Sequence, residues 1–383
     1  MKIGIVTLIG EYNYGNLLQS YALQTVLERM GHNPITLNRR VKSPTIKLYF
    51  LRILSFIRSF VARYILKRDN RLIINPFIED YNPRYYADKN ELIRFVKENI
   101  HRTEPLRSTQ SMQVYVKNES FDAMIVGSDQ VWREDYVFSI EEMFFSFLPY
   151  DSKIKRIAYA GSFGTDDGFI SQAKIPTCIN LLKKFNAISV REKSAVDICE
   201  RFFGTKAEHV LDPTMLLNTE DYKRLFNKDS ILKSEGDLLV YILDNTDEIK
   251  MTIESLAGQY NLTPFTVNAI EIHNEKSYNY KFLSVESWLR GFYDAEFIIT
   301  DSFHACVFSI LFNKPFVCIG NKGRGNARFD SLLGMFGLEN RLVDDMSRIS
   351  GMMNEPINWA IVNSTLEGKK IESIAFLENA LKS

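Results

Sequence analysis

Short runs of consecutive apolar residues recur along the chain, and between them lie stretches whose apolar residues fall three or four positions apart. Residues 1–8 (MKIGIVTL) form the first run, which predicts a strand covered on both faces. Leu18, Ala22, Val26 and Met30 then fall four apart and predict a helix closed by Gly31, and residues 34–37 (PITL) return to a strand. Further strands are expected at 123–126, 157–160, 187–190 and 209–211, and after them at 238–243, 265–267, 297–300 and 315–319. Helical stretches separate several of these runs, as parallel strands require. The pattern predicts an α/β fold.

The charged stretch 218–236 carries no strong strand and precedes a fresh βα alternation, so the domain boundary is placed there: residues 1–220 and 221–383, with the last helix expected to pack back on the first domain. A chain of 383 residues is too long for one ordinary core and suits two α/β domains. Residues 45–71 interrupt the first domain with Leu, Ile, Phe and Tyr interleaved with Lys47, Arg52, Arg58, Arg63, Lys67, Arg68 and Arg71. A basic amphipathic helix of this kind lies on an anionic membrane surface or packs its apolar side on the protein; packing is the default expectation.

Lysine plus arginine balances aspartate plus glutamate at 47 each, so no global field draws the chain to nucleic acid, and an anion must be held by local clusters. Four cysteines lie far apart without a CxxC pair, which predicts reduced thiols and a cytoplasmic protein. No secretion signal or clear transmembrane segment is read, and no His/Cys/Asp spacing predicts a metal.

The stretch 298–317 is the most informative. It reads as a buried strand ending in Thr300-Asp301-Ser302, followed by a helix with His304 in its first turn. A helix N-terminus beyond a strand's carboxyl end suits an anion, and an imidazole there can move protons. Asp301 is expected to orient His304, act as a base, or cap the helix; Ser302 is expected to cap it or bind ligand. Arg191 follows the strand 188–190 and so belongs at a cleft, where it meets an anion or pairs with Glu192 or Asp197. Lys322, Arg324 and Arg328 stand in a glycine-rich loop that suits an anion or stays solvated. Asp129, Gln130 and Trp132 follow another strand and fit sugar hydroxyls and a pyranose face, although Trp132 equally suits a core. Asn13, Asn16 and Gln19 line the same cleft, with Gly15 permitting close backbone approach. The glycines of the first loop do not make GxGxxG, and residues 38–40 (NRR) supply no acid for a ribose, which argues against a dinucleotide.

Five segments in order resemble the polysaccharide pyruvyl transferases: residues 10–24 (GEYNYGNLLQSYALQ), 126–132 (VGSDQVW), 189–195 (SVREKSA), 211–214 (LDPT) and 300–304 (TDSFH). The resemblance implies two Rossmann-like domains facing a cleft, similar to the GT-B glycosyltransferases, with the acceptor on the N-terminal side and the donor on the C-terminal side. It implies transfer of a pyruvyl group from phosphoenolpyruvate to two hydroxyls of a sugar in a surface polysaccharide or its lipid-linked precursor, forming a ketal. Phosphoenolpyruvate is then a co-substrate, and no further cofactor is expected. His304 and Asp301 become the catalytic candidates, Arg191, Ser302, Lys322, Arg324 and Arg328 the donor-binding ones, and Asn13, Asn16, Gln19, Asp129, Gln130 and Trp132 the acceptor-binding ones. The family often carries an arginine where Ser302 stands, so the loop cations are left to supply charge for the second donor anion. The expected location is cytoplasmic, with peripheral contact at the inner membrane face as the alternative that the basic residues 45–71 leave open. The competing readings are a nucleotide-sugar-dependent glycosyltransferase of similar architecture and a sugar- or anion-binding member without chemistry.

Overall fold

The computed structural model describes residues 1–8, 13–40, 44–67, 72–78, 86–165, 169–228, 230–272, 277–320 and 326–382. Two parallel sheets dominate. The first has six strands in the order Asn33–Thr36, Lys2–Val6, Ala123–Val126, Lys155–Gly161, Ala187–Val190, Glu208–His209. The second has five, in the order Leu342–Val343, Phe316–Ile319, Phe297–Thr300, Leu238–Tyr241, Pro264–Phe265. All neighbouring pairs in both sheets run parallel. The predicted apolar runs form these strands because helices cover both faces, so the central strands have no polar side to show. Ala123, Met124, Ile125 and Val126 are all fully buried. This is the two-Rossmann-like α/β architecture expected from the sequence.

In each sheet the order of strands reverses once. The reversal lies between Lys2–Val6 and Ala123–Val126 in the first, and between Leu238–Tyr241 and Phe297–Thr300 in the second. A crevice opens at such a point beyond the strands' carboxyl ends, because the following connections leave to opposite faces. Both crevices contribute to the site below.

The two sheets share one apolar core. A single cluster runs from Ile3, Leu18 and Leu23 through Leu211 and Tyr222 to Trp288, Ile298 and Phe308. The Tyr14 ring stacks on Trp288 with centroids 5.5 Å apart, and its hydroxyl donates to the Leu283 carbonyl at 3.0 Å. Arg29 makes a two-point pair with Asp221 at 2.7 and 3.0 Å, and Arg94 reaches Glu286 at 2.9 Å. A small three-stranded sheet joins Ala87–Asp88 to Tyr280–Lys281 and Ile270–Glu271. The final helix, Trp359–Lys382, returns to the first sheet: Ser373 Oγ accepts from the Leu211 N–H at 3.0 Å, and Lys155 Nζ donates to the Leu381 carbonyl at 2.6 Å. Short two-residue strands carry too little pattern to be read in advance, and the small sheet was not expected from the sequence.

One default expectation is met on one side of a helix and not on the other. The helix Ile46–Phe60, which continues as the wider turn Val61–Ile65, meets the described protein along one side, where Tyr49 lies against Phe77 with ring centroids 5.6 Å apart, Arg52 donates to the Ile78 carbonyl at 2.7 Å and Ile53 and Phe56 are half-buried. Ser59 is its one buried residue, and Ile46, Phe50, Leu54, Ile57 and Phe60 stay exposed. Arg68 and Arg71 of this segment lie outside the described residues.

A core that crosses the boundary between two sheets makes each half depend on the other for its buried surface. Calorimetric unfolding is therefore expected to show one cooperative transition, lowered as a whole by Trp288→Ala, which removes about 3–5 kcal/mol. Two resolved transitions, with only one moved by the substitution, would contradict the shared core.

Candidate active site

The site begins where the first sheet's strands end. Thr7, Ser128 and Gln19 clamp the loop ends: Gln19 Nε2 donates to Thr7 Oγ1 at 3.0 Å, its Oε1 accepts from the Ser128 N–H at 3.1 Å, and Thr7 Oγ1 donates to the Ser128 carbonyl at 3.1 Å. Gly127 sits at φ +123°, and an added Cβ there would lie 2.0 Å from the Tyr159 carbonyl oxygen. Only glycine fits that turn. The next residues bring three carboxylates around one guanidinium. Arg191, which is 4% exposed, donates from Nη1 to Asp212 Oδ2 at 2.8 Å and from Nε to Glu192 Oε1 at 3.2 Å. Its Nη2 lies 3.5 Å from Asp129 Oδ1. Glu192 in turn accepts from Ser162 Oγ at 2.7 Å.

Asp212 is the hub. Its Oδ1 accepts from the Thr214 N–H at 3.0 Å and from Thr214 Oγ1 at 2.7 Å, and its Oδ2 meets Ser128 Oγ at 3.3 Å as well as Arg191. Pro213 starts a short 3-10 turn behind it, so the Asp-Pro-Thr sequence locks the carboxylate by local geometry.

The second sheet supplies His304 in the first turn of the helix Phe303–Leu311. Its Nε2 lies 3.6 Å from Asp212 Oδ2, which is ion-pair distance without a hydrogen bond, and Nε2 has no hydrogen-bond partner among the described residues. The imidazole rests on the backbone of Gly15: a Cβ at that position would fall 2.1 Å from His304 Nδ1. Gly15 opens the helix Tyr14–Arg29, whose N-cap Asn13 accepts from the Asn16 N–H at 3.2 Å. Two helix N-termini, one from each sheet, thus come together beside the imidazole, with their positive dipole ends.

Phe303 carries two cations. The Arg191 guanidinium lies 4.4 Å from its ring centroid and that of Arg328 6.0 Å. Arg328 stands in the first turn of the helix Ala327–Phe336, and its Nε is buried with no hydrogen-bond partner among the described residues. Burial, and then the like charge of Arg191, disfavours its charged form. Burial also opposes the charge on Arg191, but Glu192, Asp212 and Asp129 outweigh it and raise its pKa. For Asp212, burial pushes the carboxyl up, yet His304, Arg191 and Thr214 together hold it well below the ordinary carboxylate range.

Several expectations change against this geometry. Arg191 is buried and its charge is matched by three carboxylates, which builds the site, yet its Nη2, like the Nε of Arg328, has no hydrogen-bond partner among the described residues, so each arginine keeps one unused donor. Lys322 and Arg324 lie outside the described residues, as does His273. Asp301 does not cap the helix: its two oxygens accept from the Leu243 and Asp244 N–H groups at 2.7 and 3.0 Å, fastening the second sheet's crevice. The carboxylate that faces the His304 Nε2 is Asp212. Ser302 is the N-cap residue, and its side chain makes no capping bond. Among the acceptor candidates, Asn13 is exposed, Asn16 donates to Asp129 at 3.4 Å, and Gln130 lies against Arg133 at 3.4 Å. Gln19 and Trp132 are enclosed completely, Gln19 as a loop clamp and Trp132 between Phe144 and Phe163 with centroids 5.5 and 5.1 Å away. Neither presents a surface to a ligand. Sequence reasoning missed the role of Asp212, although an aspartate before Pro-Thr at a strand end signals a fixed carboxylate, whereas the pairing of Arg191 with Glu192 is one of the alternatives it offered. Among the described residues, no group of three His, Cys, Asp or Glu side chains is placed to hold a metal ion.

Asp212→Asn is expected to cost about 3–5 kcal/mol at neutral pH, the range for removing one member of a buried pair. Because the folded-state pKa lies below the unfolded value, the stabilisation is complete above about pH 5 and is lost as pH falls through about pH 4 and below. The gap in denaturant midpoint between wild type and Asp212→Asn should therefore narrow from about pH 7 to about pH 3.5. An equal gap at both would remove Asp212 from its place as hub.

A search of curated proteins finds no match. Among solved structures, the chain is similar to UDP-GlcNAc 2-epimerase from Methanocaldococcus jannaschii (13% identity, 94% of each chain covered, TM-score 0.48). It is also similar to a glycosyltransferase from Rickettsia africae (10% identity, 100% of this chain and 96% of that one, TM-score 0.48). A third is the ADP-heptose lipopolysaccharide heptosyltransferase II of E. coli (12% identity, 97% and 99%, TM-score 0.37). The family model for polysaccharide pyruvyl transferase matches residues 13–323, a span that holds Gly15, Asp129, Arg191, Asp212 and His304 together. With most of its length covered by that model, the chain belongs to the polysaccharide pyruvyl transferase family.

Proposed function

We propose that the chain moves the pyruvyl group of phosphoenolpyruvate onto two hydroxyls of one sugar, releasing phosphate and forming a ketal. The observation that carries this reading is the imidazole of His304 held between Gly15 and Asp212 at the meeting of two helix N-termini. The reaction needs a proton delivered to the donor's methylene carbon, which turns the enol carbon into an oxocarbenium-like centre. The first sugar hydroxyl adds to that carbon, the C–O bond to phosphate breaks, and the second hydroxyl closes the ketal. Of the two hydroxyl protons, one replaces the proton given to the methylene carbon and the other leaves with phosphate, so the imidazole ends as it began. Asp212 suits a positioning role: an anion fixed by Thr214 and Arg191 supports the imidazolium in the part of the cycle where it is charged.

The donor carries a carboxylate and a phosphate, and two features support its being held here. The helix Phe303–Leu311 offers uncapped N–H groups beside Ser302, and Arg328 brings a guanidinium with an unspent donor to 6.0 Å from the Phe303 ring centroid. A ketal requires neighbouring hydroxyls, so the acceptor is a sugar with a free 1,2- or 1,3-diol, in a polysaccharide or in its lipid-linked precursor.

Incubation of the protein with phosphoenolpyruvate and a panel of oligosaccharides carrying such diols is expected to release inorganic phosphate. His304→Gln should reduce this release by roughly 10²–10⁴-fold in a folded protein. Arg328→Gln should raise the KM for phosphoenolpyruvate roughly ten- to hundredfold, the value of a charge-assisted bond, with a smaller effect on kcat. Nucleotide release from a nucleotide sugar under the same conditions, with none of phosphate from phosphoenolpyruvate, would replace this reading by glycosyl transfer.

A further inference from the structure

The segment from Ile46 to Lys67 turns its large apolar residues outward. Ile46, Phe50, Leu54, Ile57 and Phe60 fall three or four apart on one stripe of the helix, and each is between 45% and 89% exposed. Tyr64, Ile65 and Leu66 extend the stripe through the following turn, and Phe77 from the neighbouring loop is equally exposed. The opposite side, turned toward the body, carries the buried Ser59 and the half-buried Tyr49, Ile53 and Phe56. A water-facing helix ordinarily shows the reverse arrangement, and contiguous exposed apolar surface of this kind marks a place of contact.

Charge identifies the contact. The whole chain is neutral, yet residues 45–68 contain six lysines and arginines and no acid. Lys47, Arg58 and Lys67 are exposed beside the apolar stripe. A second copy meeting this face across a two-fold axis would set these cations against their own images, which disfavours a symmetric dimer. An anionic bilayer satisfies both features at once: the stripe enters the boundary between headgroups and acyl chains, and the flanking cations meet lipid phosphates. Among the described residues no helix is long and apolar enough to cross a membrane, so the mode is lying on the surface. We infer that the face built by Ile46–Leu66 and Phe77 docks the protein on an anionic lipid bilayer. This inference rests on the helix alone and stands apart from the pyruvyl-transfer reading.

Flotation of the full chain tests it, with vesicles of pure phosphatidylcholine and vesicles of equal parts phosphatidylcholine and phosphatidylglycerol. The protein should float with the anionic vesicles at low salt, remain below with the neutral ones, and release as salt rises and the Debye length shrinks. Joint replacement Lys47→Gln, Arg58→Gln and Lys67→Gln should weaken binding about a hundredfold, at the usual value of one cation near an anionic surface. Phe50→Ser with Ile57→Ser should abolish flotation; as both side chains are exposed, the unfolding temperature should not change. Failure to float with anionic vesicles at low salt overturns the inference, as does binding indifferent to both sets of substitutions. A concentration-dependent dimer lost in Phe50→Ser with Ile57→Ser, without lipid binding, would reassign the face to contact between copies.

Discussion

The buried pair of Arg191 and Asp212 is the interaction on which the rest of the site depends. A guanidinium taken out of water is costly unless its charge and its donors are matched, and here Asp212, Glu192 and Asp129 share that work from three different loops. Matching the cation therefore fixes the relative positions of the ends of three strands in the first sheet. The remaining oxygen positions of Asp212 are taken by Thr214 and Ser128, which leaves its Oδ2 facing the imidazole across 3.6 Å. His304 belongs to the other sheet, so the cluster also sets where the two sheets meet.

Close approach of the two halves is possible because Gly15 has no side chain. Its Cα lies under the imidazole, where any larger residue would collide. Around this contact the apolar core is continuous, and Tyr14, next to Gly15 in the chain, stacks on Trp288 of the second half. Packing and chemistry thus use adjacent residues of one helix start: Tyr14 secures the interface, Gly15 admits the imidazole, and Asn16 reaches Asp129. Domain motions are the ordinary expectation for small polar interfaces, whereas an interface with this much apolar burial holds its geometry.

Much of the fold was legible because buried parallel strands leave a strong mark: the apolar runs from 123–126 to 315–319 hold strands, although 209–211 and 265–267 do so only at His209 and Phe265. The strand-end position of His304 was legible for the same reason. What escaped notice depended on contacts between distant residues. Nothing near Arg191 in the chain indicates that Asp129 and Asp212 will surround it, and a guanidinium at a strand end reads equally well as a ligand anchor. Gln19 looked available because it stands in a helix-start segment, yet tertiary packing closes over it, while Trp132 takes the core position that its sequence setting left open. The helix Ile46–Phe60 has apolar residues on two sides, Tyr49, Ile53 and Phe56 half-buried and Ile46, Phe50 and Leu54 exposed, and amphipathic spacing does not say which of them face out.

The central claim is that His304 acts only where Gly15 and Asp212 hold it, and Gly15→Ala tests it without altering a chemical group. Turnover of phosphoenolpyruvate with a competent sugar should be compared among wild type, Gly15→Ala, His304→Gln and the double variant, with folding checked by cooperative unfolding. The geometry predicts that Gly15→Ala, with an unfolding transition lowered by about 1–3 kcal/mol for overpacking, falls toward the His304→Gln rate. The double variant should lose little more, because both substitutions remove the same positioned imidazole. A folded Gly15→Ala protein that turns over at the wild-type rate would contradict the claim.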